Sequence, residues 1–117
     1  MTYVDVMICA VPEKNKEEFI QHSNNIIGLF KKHGALAAAD FWQDDVPDGK
    51  LTSLPLAVKK EEGEVVVYSH IIWPSKKVRN EGMPKAMQDM EGSEEAHKMP
   101  FDGKRMIFGG FDMIVEG

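Results

Sequence analysis

Val65-Val66-Val67-Tyr68-Ser69-His70-Ile71-Ile72-Trp73-Pro74-Ser75 decides the fold. β-Branched and aromatic residues dominate its first nine positions, which favours a strand over a helix. Pro74 ends that strand, because it has no N–H for the ladder. Ser75 is a good N-cap, so a helix should start near Lys76. It should reach Met90, with a break or kink near Met83 where Gly82 and Pro84 interrupt it.

The same grammar appears earlier in the chain. Tyr3 to Val11 reads as a strand stopped by Pro12, and Glu13 to His33 as a helix. Glu13, Glu17 and Glu18 suit the positive end of that helix, and Lys31, Lys32 and His33 its negative end. Gly34 is placed to take a left-handed C′ conformation. A second strand is expected over Ala35–Gln43 and a last one over Arg105–Val115, with a bulge or bend at Gly109-Gly110. Pro47-Asp48-Gly49-Lys50, the stretch around Gly63 and Phe101-Asp102-Gly103-Lys104 read as turns. The order is β-α-β, a long connection over residues 44–59, then β-α-β. This is the ferredoxin-like pattern of an α+β domain: a four-stranded antiparallel sheet with two helices on one face.

Both sheet faces look apolar. Val4, Val6 and Ile8 read as the helix-facing set of the first strand, leaving Tyr3, Asp5, Met7 and Cys9 behind. The last strand has Met106, Phe108 and Ile114 on one side and Ile107, Phe111, Met113 and Val115 on the other. An exposed face of that size is unusual for a monomer. A homodimer with sheets face to face is therefore expected. The alternative cover is the 44–59 connection, which carries Leu51, Leu54, Leu56 and Val58.

The chain's 117 residues suit one domain. Fourteen Lys and Arg against 19 Asp and Glu leave a net charge of −5, which disfavours phosphate backbones. The rival nucleic-acid reading would use Lys76, Lys77, Arg79 and Arg105, and would require RNA platforms that the sequence lacks. One cysteine, Cys9, excludes an intrachain disulfide and reads as a buried, inert thiol. No signal peptide or membrane span is expected, and a cytoplasmic location is.

Asp5, Asp40, Ser69, His70 and Asp112 interrupt apolar strands. A carboxylate on a covered face must be paired or hydrogen-bonded. Asp5, Asp40 and His70 are the candidates for acid–base chemistry, with Asp5 and His70 able to act together if they share a cavity. The competing reading is structural: a histidine at a dimer seam and an aspartate bonded to backbone or arginine. Trp42, Trp73 and Arg105 are the candidate ligand-binding residues, two flat platforms and one fork-shaped cation. The histidines at 22, 33, 70 and 97 are too scattered to form a metal set, and no cofactor fingerprint occurs.

Several segments carry a family resemblance. They are Tyr3-Val4-Asp5, Lys32-His33-Gly34-Ala35-Leu36, Trp42 through Lys50, Ser69 through Lys76, and Met99 through Phe111. The chain resembles the YbaA-like family of small bacterial proteins, a domain of unknown function. The resemblance implies a dimeric α+β barrel and brings no catalytic residue. His70 departs from the family's pattern, where a tryptophan or another apolar residue is expected. Three functions follow as expectations: small-molecule binding in a cavity, a cofactor-independent enzyme of the monooxygenase or isomerase type found on similar barrels, and RNA binding, which is disfavoured.

Overall fold

The structure is a computed structural model that describes residues 1–94 and 98–117. Its strands are β1 (Tyr3–Pro12), β2 (Ala37–Trp42), β3 (Glu64–Trp73) and β4 (Ile107–Asp112). Its helices are α1 (Lys16–Lys32), the single turn α2 (Leu54–Ala57) and α3 (Lys76–Glu91). Short 3₁₀ turns precede α1 (Glu13–Asn15) and β4 (Gly103–Arg105). The expected loop over 91–100 is described only in part, and the histidine expected at 97 lies outside the described residues.

All pairings are antiparallel and the strand order is β2-β3-β1-β4, as the ferredoxin-like reading requires. The barrel does not form. The sheet is open, with β2 and β4 at opposite edges and no ladder joining them. Closure would need the outer strands to pair, and here two strands separate them.

Local signals explain most boundaries. Ser75 Oγ accepts from the Val78 N–H at 3.1 Å and starts α3 immediately after Pro74. Gly34 has φ +110°, and Ala35 N–H donates to Phe30 O at 3.0 Å, closing α1 with a Schellman arrangement. α3 does not break at Met83: it continues through Pro84 to Glu91. Gly82 presses against Trp73 and the end of α1, where a Cβ would stand 2.8 Å from Trp73 Cζ3, so tertiary packing outweighs the proline's missing donor. β4 is shorter than expected and carries no bulge at Gly109-Gly110, whose register with Val6 and Asp5 is unbroken. Gly110 instead makes room for the Tyr3 ring, whose Cε2 would lie 2.7 Å from a Cβ there.

The helix-facing side of β1 is Tyr3, Asp5, Met7, Cys9 and Val11, the reverse of the expected register. Tyr3 packs with Phe30, Ile71, Trp73 and Ala86, and Cys9 and Val11 with Phe19 and Val67. Asp5 tolerates that side because α3 brings it a cation. Val4, Val6 and Ile8 therefore lie on the back face. There, Val58, immediately after α2, covers one end by packing on Ala10 and Val66. Ser53 Oγ caps this short helix, and Gly49 takes φ +68° in the turn before it. The rest of the back face is uncovered: Phe41 is 49% exposed, Phe111 58% and Ile107 41%.

Candidate functional site

A cavity of about 220 Å³ lies between the sheet and helices α1 and α3. Its floor is sheet: Met7 and Cys9 from β1, Ala38 and Asp40 from β2, Ser69 and Ile71 from β3. α1 contributes Phe19, His22, Ser23, Ile26, Ile27 and Phe30, and α3 contributes Met87 and Met90. Met99, Phe101 and Met106 close the side toward β4. The cavity exists because small residues face it from the sheet. Ala38 and Ser69 leave space that a pair of leucines would fill.

The polar centre of this floor is Asp40 with Ser69. Strand register sets the two side by side, and the Ser69 hydroxyl donates to Asp40 Oδ1. Among the described residues no cation lies within ion-pair distance of Asp40, and its Oδ2 receives no hydrogen bond. The Cys9 thiol shares the floor. Burial, with smaller contributions from the Asp40 and Glu64 carboxylates, pushes it up to about 12, so it stays protonated. His22 is buried and meets Phe101 edge-on, with ring centroids 6.2 Å apart.

Asp40 also borders a second, outer cleft of about 290 Å³ between α1 and the end of β2. Trp42 lines it, touching Phe19 (centroids 6.2 Å apart), while Lys16 Nζ stands 5.3 Å over the indole. A third cleft, about 660 Å³, runs beside α1 at the 98–105 segment and includes Arg105.

Of the candidates named from sequence, the fold brings Asp40 and Trp42 together. Asp5 and Trp73 belong to a different constellation. Asp5, 5% exposed, accepts from Trp73 Nε1 at 2.9 Å and from Arg79 at 2.8 and 3.1 Å. The Arg79 guanidinium also lies over the Tyr3 ring at 5.3 Å. His70 borders the cavity from β3, but its ring belongs to the back face, grouped with Phe41 and Tyr68 at centroid distances of 5.3 and 5.6 Å. Asp5 and His70 thus point to opposite sides of the sheet and share no cavity. Arg105 grips Glu64 with two bonds, 2.7 and 2.8 Å, and also bonds Asp102 and Lys59 O. With Arg79 and Arg105 both engaged by carboxylates, the four-residue basic cluster is reduced to Lys76 and Lys77.

Reasoning from sequence missed His22 and the methionines. Five of the eight methionines (Met7, Met87, Met90, Met99 and Met106) line the inner cavity. The available signal was abundance, since their positions show no common period. Among the described residues no group of three His, Cys, Asp or Glu side chains is placed to hold a metal ion. Nor is any helix long and apolar enough to cross a membrane.

Residues 2–103 match the family described as "Protein of unknown function (DUF1428)". The chain belongs to this family. It is 47% identical over 116 residues to "Uncharacterized protein YbaA" of Escherichia coli (strain K12), covering 99% of each chain. The identity and coverage are the same for the protein of that name in Shigella flexneri. The resemblance carried by the quoted segments therefore extends along the whole length of this DUF1428 chain. Among solved structures, "De novo designed protein Foldit4" matches with TM-score 0.42 and 12% identity, covering 94% of this chain and 92% of the design.

Proposed function

We propose that this protein binds a small, largely apolar molecule in the cavity between its sheet and its helices, and that it does so as a homodimer joined through the uncovered back faces. The inner cavity carries the binding reading: about 220 Å³ with largely apolar walls and, among the described residues, one hydrogen-bonded carboxylate, Asp40, in its floor. Specific pockets have this character, with predominantly apolar lining and a few polar groups to fix orientation. An apolar cavity of ~150 Å³ accepts benzene, so this one suits a single ring with a short substituent. Methionines add adaptable, polarisable walls that favour contact with an aromatic ring. The dimer reading is supported by Phe41, Ile107 and Phe111, which stand exposed on a face whose other end Val58 already covers.

The test is thermal unfolding with benzene, toluene and ethylbenzene. Ligand that binds only the folded state raises the melting temperature with concentration. Ala38→Leu, which fills the floor, abolishes the rise. No rise in the parent protein with any of the three removes the reading.

A further inference from the structure

Asp40 differs from the other well-bonded carboxylates of this protein. Asp5 has Arg79, Glu64 and Asp102 have Arg105, and Asp89 has Lys32 and His33. Among the described residues, Asp40 has only the hydroxyl of Ser69. It nevertheless sits at the junction of the inner cavity and the outer cleft, lining both. The inner walls around it are Met7, Ala38, Ile27 and Ile71. A carboxylate beside such walls is poorly solvated on that side and gains most from a charged donor. Lys16 also lines the outer cleft, but its ammonium stands over the Trp42 ring.

We infer that the cavity selects an arylalkyl amine: a protonated primary amine whose nitrogen donates to the free oxygen of Asp40 while a single aromatic ring fills the methionine-lined interior. This rests on the binding reading above and adds the ligand's class. The position of Asp40 sets the polarity. An ammonium meets a carboxylate there, and a ligand carboxylate would meet like charge. The protein's net charge of −5 acts in the same direction on approaching ligands. Volume sets the size, since a second fused ring with its own chain would exceed what about 220 Å³ holds.

Three probes of similar shape separate the possibilities by calorimetry and thermal shift at pH 7: 2-phenylethylamine, 3-phenylpropionate and ethylbenzene. The amine is expected to bind at least tenfold more tightly than the carboxylate. Asp40→Asn keeps the acceptor for Ser69, so the fold is retained. It should weaken the amine at least tenfold and leave ethylbenzene within about twofold. If ethylbenzene binds while the amine shows no preference over the carboxylate, or no sensitivity to Asp40→Asn, the amine assignment is overturned and the cavity reading stands. If none of the three binds, both fall.

Discussion

Asp5 and Arg79 meet as a two-point ion pair that ties β1 to α3. Arg79 Nη2 and Nε donate to the two carboxylate oxygens at 2.8 and 3.1 Å, and the side chains are 28% and 7% exposed for arginine and aspartate. The guanidinium is held further into its charged form, chiefly by the hydrogen bonds it donates to Asp5. Removing one partner strands the other. Asp5→Ala should cost about 3–5 kcal/mol, because Arg79 and the Trp73 N–H both lose their acceptor. Arg79→Lys retains the charge, loses the fork, and should cost less. Urea unfolding of both variants checks the order; an Asp5→Ala protein as stable as the parent would contradict it.

Acid should weaken the fold through a second arginine. Hydrogen bonds from Arg105 are the main reason the Glu64 carboxyl lies below its usual range, and Asp102 and Asp89 are also lowered. Their pKa values in the folded state lie below those of the unfolded chain. The stabilisation is therefore complete above the ordinary carboxylate range, ~4, and is lost as pH falls through the lower folded values. Glu64→Gln should flatten the slope of stability against pH below about 4 relative to the parent. Denaturant midpoints collected from pH 7 down to pH 3 measure this.

Alkali should act through Cys9. The thiol is pushed up to about 12, mainly by burial. Its contribution is full below the free-thiol value of ~8.5 and is lost as pH climbs toward the folded value. In the native protein at pH 8, a disulfide reagent should react far more slowly than in the urea-unfolded chain. Equal rates would show that the thiol is accessible. Cys9→Ala should remove the thiol's share of the alkaline loss.

Much of the fold was readable from punctuation. Pro74-Ser75 marks the strand-to-helix switch, Gly34 ends α1, and the β-α-β order specifies the sheet topology. The face register was not readable. Both sides of β1 are apolar by composition, and Asp5 can face the helices only because Arg79, 74 residues away, meets it there. The barrel came from family resemblance, and the strand order leaves both edges open. Asp40 and Trp42 were visible as odd residues in strands. The cavity beside them was not, because its walls are scattered methionines and its volume depends on the small residues Ala38 and Ser69.

The back face makes a prediction about assembly. Phe41 and Phe111 stand on its two edge strands, at 49% and 58% exposure. The parent protein should sediment as a dimer at micromolar concentration. The double variant Phe41→Lys/Phe111→Lys should sediment as a monomer with an unchanged circular dichroism spectrum, since both positions point away from the helices. A monomeric parent protein would remove the assembly.

β1 lies between β3 and β4, so both of its hydrogen-bonding flanks are supplied by residues 64–73 and 107–112. β1 has no ladder partner until residue 64, 52 residues beyond its own end, and its second flank waits for residues 107–112. The sheet thus completes only when β4 has been made, and a chain stalled before residue 107 presents a bare, aggregation-prone edge in the middle of its future core.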